Sequence, residues 1–164
     1  MLDLEERNRA RKKAMRLLEH MDRTEKGLTD KLRQAEFSPE AVEDAIAYVK
    51  SFGYINDRRY AENYISSRIS LKSRQKILLE LQQKGISRNT ALEAWEEIAE
   101  YEKPDERELI RREIKKKHAP DSIIEEKELR RLCGYLARRG FQTGDIFSVL
   151  EELHITAKTR FENE

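Results

Sequence analysis

A single cysteine, Cys133, stands in a chain of 164 residues, which excludes an internal disulfide and any zinc site built from several thiolates. No apolar run approaches the roughly 20 residues of a membrane-spanning helix. The charged N-terminal stretch also lacks the hydrophobic core of a secretory signal. The location expected from these absences is the cytoplasm, with no membrane partner. Net charge is almost missing too: 33 basic side chains against 32 acidic ones leave +1, a weak overall attractor for polyanions. No segment alternates apolar and polar residues as a half-buried strand would. An enzyme needs reactive groups held at defined distances, yet the chain has no HExxH, no phosphate-binding glycine loop and no nucleophile elbow. His20, His118 and His154 lie far apart, in three different helical settings. Acidic pairs such as Glu125 and Glu126 are too common here for adjacency to mark a site. The expectation is therefore no catalytic residue, no metal and no cofactor.

What is present is charge and helical period. Charged residues make up 40% of the chain and hydrophobic ones 38%, far more charge than the usual quarter, which suits thin modules with much solvated surface. The basic residues cluster: Arg7 to Arg16 at the start, then Arg68 to Lys76, Arg111 to Lys117 and Arg130 to Arg139. Acid gathers between Glu93 and Glu108. Each cluster is either a steering patch for a partner or a solvated helix face laced by i,i+4 pairs.

Apolar residues recur every three or four positions, as in Ala14, Leu17, Leu18 and Met21 or Ile77, Leu78 and Leu81, which is a helical period. The spacing predicts helices over about 6–21, 25–35 and 39–51. The last of these has Ser38 to cap, Pro39 at its first position and Phe37 to staple onto Val42. Gly53 ends it and Asn56 caps the next, which carries Tyr60, Ala61, Tyr64, Ile65 and Ile69. A helix over 73–84 follows, then one capped by Ser87. A shift of 49 positions lays Leu28, Leu32, Phe37, Val42, Ala45 and Ile46 on Ile77, Leu81, Ile86, Ala91, Ala94 and Trp95. A further shift of 55 reaches Leu132, Leu136, Phe141, Ile146, Val149 and Leu150. The fold class expected is all-α: an elongated, curved array of three tandem three-helix repeats at 6–54, 55–102 and a more divergent 105–155. Its third copy opens with a helix over about 105–117, and 118–127 reads as a longer connector or an added helical turn.

Leu32, Leu81 and Leu136 take equivalent core places in that registration. Trp95 and Cys133 lie on apolar faces, so both are expected to pack rather than to stack on a ligand or to react. The most organised surface is central. Arg68, Lys72, Arg74 and Lys76 crowd one helix end, its connector and the next helix start, and Lys84 approaches the turn at Gly85. Such a face suits phosphates or a protein carboxylate patch without reading sequence.

The stretch Ile55-Asn56-Asp57-Arg58-Arg59-Tyr60-Ala61, followed by Arg68 and then by Lys76 through Gly85-Ile86, resembles the RecX family of RecA recombinase modulators. Gly27-Leu28, Lys31-Leu32, Phe37 and Phe52-Gly53-Tyr54-Ile55 continue the likeness. It covers roughly residues 8–155 and is strongest over 23–95. Ser73 stands where the family often has glycine, and the third copy matches loosely. The resemblance implies a small cytoplasmic regulator, acting as a monomer, that binds the RecA filament on single-stranded DNA, with at most a weak direct contact to the DNA backbone. It further implies restraint of strand exchange, coprotease activity and ATP turnover. Two other classes remain open at this point: a structural nucleic-acid-binding protein acting without recombinase, and a metal-dependent nuclease.

Overall fold

The computed structural model describes residues 2–159. Among these, nine α-helices follow one another: α1 Leu4–His20, α2 Glu25–Gln34, α3 Pro39–Ser51, α4 Asp57–Arg68, α5 Arg74–Gln83, α6 Arg88–Glu102, α7 Glu106–Lys115, α8 Glu126–Arg138 and α9 Thr143–Glu152. Their starts follow from local chemistry. Orphan amides of the first turn need acceptors. Ser38 Oγ takes Ala41 N–H at 3.2 Å, with Pro39 at the helix start. Asn56 Oδ1 takes Arg59 N–H at 3.0 Å, and Ser87 Oγ takes Thr90 N–H at 3.2 Å.

The repeat registration holds in the packing. Of the eighteen positions aligned by the two shifts, all but Phe37 are buried, and Leu32, Leu81 and Leu136 are completely so. The turn between the second and third helix of each copy also recurs. Phe37, Ile86 and Phe141 donate their N–H to the carbonyls of Leu32, Leu81 and Leu136. The residue just before each has positive φ: Glu36 at 67°, Gly85 at 91° and Gly140 at 88°. This is the left-handed helix exit in which an N–H reaches back past the end of the helix.

One segment departs from an entirely helical chain. Ile123–Ile124 (β1) pairs in parallel with Thr156–Ala157 (β2), so 118–127 is not an added helical turn. Each strand has two residues, too few to write an alternating pattern into the sequence.

Two compact units make up the chain: one comprises residues up to Ser66 with Leu78–Ile98, the other Ser67–Ile77 with residues from Ala99 onward. The first has a core of α1, α2 and α3 side chains, including Ala14, Leu28, Leu32, Ala45 and Val49. Arg11 on α1 clamps Asp44 on α3 through two bonds, Nε to Oδ2 at 2.8 Å and Nη2 to Oδ1 at 2.9 Å, and its guanidinium lies 4.3 Å from the Tyr48 ring centre. The core of the second unit joins α7, α8 and α9 through Ile110, Ile114, Leu136 and Val149, with Ile124 of β1 and Ile155 beside β2.

The clamp makes stability depend on pH. Hydrogen bonding from Arg11 holds the Asp44 carboxyl below its usual range, against an opposing effect of burial. A carboxyl depressed in the folded state adds stability above its unfolded value, about 4. That stability is lost as pH falls through the lower folded value. Melting temperature should therefore drop on acidification below about pH 4, and Asp44→Asn should lower it at neutral pH while flattening that part of the curve. A wild-type slope in Asp44→Asn would rule the clamp out as the source.

Candidate partner-binding site

Of the central basic residues, four fall on one short segment of the second unit. Arg68 closes α4, Lys72 lies in the connector, Arg74 opens α5 and Lys76 sits in its first turn. Arg74 is exposed and the other three are half-buried. Lys84 belongs to the first unit, where its ammonium lies 5.6 Å from the Tyr64 ring centre. Tyr64 itself is buried and donates to Glu80 Oε2 at 2.8 Å.

The connector carrying these cations is held at three points. Arg139 Nη1 donates to Leu71 O at 3.3 Å. Ser73 N–H donates to Arg139 O at 3.4 Å, and Arg74 N–H donates to Glu106 Oε1 at 2.6 Å. Ser73 is completely buried, and its Oγ accepts Lys76 N–H at 3.1 Å. Where the family often has glycine, the serine therefore caps α5. Gly140 closes the joint: a Cβ there would overlap Ser73 Oγ and lie 2.6 Å from Lys76 Cβ.

The same joint occurs within the first unit. Thr24, the counterpart of Ser73 by the 49-residue shift, caps α2 by accepting Gly27 N–H at 3.0 Å and donates its hydroxyl to Lys84 O at 2.7 Å. Glu25 N–H donates to Asp57 Oδ1 at 2.9 Å, as Arg74 N–H does to Glu106. Gly85 lies against Lys26, whose Cγ would be 2.9 Å from an added Cβ. In each unit, then, the second helix of one repeat receives the glycine turn of the next, and an acid opening the following repeat takes its first free amide. Asp57, prominent in the family-like stretch, is thereby a joint residue. Its role spans 32 positions of sequence and is hidden from any local pattern, although the acid at 106 with the same 49-residue offset is a signal that points to it.

Arg58, the next residue of that stretch, is also structural. It meets Glu62 at 2.9 Å, Glu93 at 3.1 Å and Glu97 at 2.7 Å, tying the acidic part of α6 to α4. In the second unit, Glu113 is a buried carboxylate. Burial pushes it up, but Lys116 at 2.9 Å, Arg139 at 3.8 Å and the Tyr135 hydroxyl at 3.2 Å outweigh that, so it is held below its usual range. The guanidinium that grips the Leu71 carbonyl is thus anchored on a buried negative charge.

Trp95 is buried in α6. Cys133 packs against the core of the second unit but is only partly buried, since it also lines an open cleft with Leu129, Phe147 and Ala157. Burial raises its thiol pKa, which lowers the fraction of reactive thiolate. Among the described residues no three His, Cys, Asp or Glu side chains gather to hold a metal ion, and no helix is long and apolar enough to cross a membrane.

Comparison with known proteins agrees with this repeat structure. Sequence models described as the first, second and third three-helix domains of RecX match residues 10–48, 56–94 and 105–150. A regulatory protein RecX from Caldanaerobacter subterraneus subsp. tengcongensis is 34% identical over 146 residues, covering 88% of this chain and 71% of the relative. One from Amycolatopsis mediterranei is 33% identical over 133 residues, covering 79% and 74%. The crystal structure of RecX from Lactobacillus salivarius superposes with a TM-score of 0.60 at 22% identity, over 91% of this chain and 97% of that one. A second crystal structure, of a regulatory protein RecX, gives 0.64 at 21%, over 93% and 78%. Those two likenesses speak to the fold, and the sequence relatives to descent. The chain belongs to the RecX family of regulatory proteins.

Proposed function

We propose that this chain regulates a RecA-type recombinase by binding its nucleoprotein filament on single-stranded DNA, and that the binding restrains ATP turnover, strand exchange and coprotease activity. The observation that carries the reading is the match of all three repeats to RecX domains. Regulation here is non-catalytic and proceeds in the cytoplasm with the chain as a monomer. Each of the repeats 6–54, 55–102 and 105–155 serves as one module, and linked modules raise the effective concentration for every later contact after the first. An assembled filament, which repeats its surface, is favoured over a free protomer for that reason.

The contact residues we assign are Arg68, Lys72, Arg74 and Lys76 on the central basic segment of the second unit and, by itself on the first unit, Lys84. The fastening of the connector supports this choice, because a cation on a held backbone loses less freedom on binding than one on a loose loop. Replacing Arg68, Arg74 and Lys76 together with alanine should weaken filament binding and ATPase modulation, most strongly at low salt, with an unchanged helical spectrum and melting transition. Wild-type affinity in the folded triple variant removes this face as the principal contact. Equal binding to naked DNA with indifference to recombinase replaces the whole reading by that of a nucleic-acid coat.

A further inference from the structure

Among the described residues Glu113 is the only buried carboxylate, 8% exposed on α7. Both its oxygens are engaged: Oε1 faces Lys116 Nζ at 2.9 Å and Arg139 Nη1 at 3.8 Å, while Oε2 accepts the Tyr135 hydroxyl at 3.2 Å. The same Arg139 nitrogen donates to Leu71 O at 3.3 Å, and the guanidinium lies 4.7 Å from the Tyr135 ring centre. One nitrogen is therefore shared between a buried carboxylate and a main-chain carbonyl of the connector. Leu71 is not placed by its own burial, since it is 49% exposed. The Arg139 main chain adds a second hold, its carbonyl accepting Ser73 N–H at 3.4 Å. Lys72 stands between the two gripped residues, and Arg74 follows directly. All of these residues belong to the second unit.

From this arrangement we infer that Glu113 is a positioning residue for the partner contact: it fixes the Arg139 guanidinium, which holds the connector and with it Lys72 and Arg74. The inference rests on the contact residues proposed above and adds to them an acid that does not itself touch the partner. A solvent-exposed arginine would hold its acceptor only weakly. A carboxylate withdrawn from water attracts its cations more strongly, and losing one of them is costly. The role differs in sign from a merely electrostatic one. An acid near a cationic contact weakens attraction for an anionic partner, so deleting its charge strengthens binding. Deleting a positioning acid does the opposite, because the freed connector must then be ordered when the partner binds.

The test sets two variants of the full chain against each other, since Glu113→Gln raises the net charge and Arg139→Gln lowers it. Binding to matched recombinase filaments on single-stranded DNA is measured at low and high salt, well below each melting midpoint. Both variants should bind more weakly than wild type by roughly two- to tenfold, the cost of ordering one more side chain and its loop. Glu113→Gln should keep the wild-type salt dependence, because no contact charge is lost. The double variant should be no weaker than the weaker single one, because each change breaks the same hold. Glu152→Gln is the control: it deletes an exposed carboxylate paired with Arg111 in the same unit and should bind as wild type does or slightly tighter. Hydrogen exchange on the free chain gives a readout without recombinase, in which the Ser73 and Arg74 amides should exchange faster in Glu113→Gln. The inference is overturned by unchanged or tighter filament binding in Glu113→Gln, by an equal loss in Glu152→Gln, or by wild-type exchange at Ser73 and Arg74. Where Glu113→Gln does not fold, Arg139→Gln at its half-buried helix end carries the test, and wild-type affinity or wild-type Ser73 exchange there overturns the inference equally. The central triple variant shows how far such a failure reaches. Wild-type affinity in the triple variant removes the contact reading as well, whereas a weakened triple variant removes the positioning role alone.

Discussion

Gly140→Ala is expected to cost about 2–5 kcal/mol, the sum of roughly 1–2 for an L-residue in a left-handed conformation and roughly 1–3 for overpacking. Both penalties apply at this one position. Its φ is +88°, and an added Cβ would overlap Ser73 Oγ while lying 2.6 Å from Lys76 Cβ and 3.2 Å from Lys76 N. The last is backbone of a capped helix start and cannot swing aside. Gly53 separates the two effects, because its φ is +73° with nothing within 4 Å of an added Cβ; Gly53→Ala should cost only about 1 kcal/mol. Glu36 supplies the converse. It holds the position of Gly85 and Gly140 with φ +67°, so Glu36→Gly should gain about 0.5–1 kcal/mol, the relieved strain less the added freedom of the unfolded chain. Urea unfolding of the three variants checks the order. Equal costs at Gly140 and Gly53 would show that the joint does not press on this turn.

The same comparison explains why two of three equivalent turns carry glycine. At 85 and 140 the next repeat's turn is seated on a helix start, and side-chain volume is excluded as well as conformation restricted. At 36 the residue is exposed, so only the conformational cost remains, which a glutamate can bear. Repeat order is thus written into the glycines as well as into the leucines.

Much of the fold is legible because helical period is redundant: six positions per repeat agree on one register, and local caps such as Ser38, Asn56 and Ser87 mark the starts. The parts hidden from the sequence are those that depend on partners far along the chain. Asp57 reads as the acidic first turn of its own helix, yet its Oδ1 serves Glu25 N–H. Ser73 reads as a substitution in a connector, yet it is a completely buried cap. Glu113 is one of many acids in a charged helix, and only its neighbours Lys116, Tyr135 and Arg139 distinguish it. The central cations were visible as a charge cluster, whereas the fastening of their connector is not, since the Arg139 side chain reaches Leu71 O from 68 positions away. Charge clustering in sequence records density, and a binding surface needs the tertiary placement as well.

Trp95→Ala should be the most damaging single truncation in the middle repeat, at about 3–5 kcal/mol for a large buried aromatic, whereas Cys133→Ser should cost about 1 kcal/mol. Trp95 is 7% exposed and occupies the place taken by Ile46 and Leu150 in the neighbouring repeats. Alanine would leave most of that space empty, and a loss of this size is a large part of a domain's total stability of about 5–15 kcal/mol, so the melting temperature is expected to fall steeply. Cys133 differs in both burial and chemistry. It faces an open cleft, so serine there can be hydrated in part. Its thiol is also pushed above its ordinary pKa, so little thiolate exists at neutral pH to act as a nucleophile. Thermal melts of both variants give the stability order, and filament assays run well below each midpoint separate folding from regulation. Cys133→Ser should then bind and regulate as wild type does. Complete loss of regulation in that variant, with binding, helicity and melting all preserved, would assign the thiol a chemical role that packing does not account for.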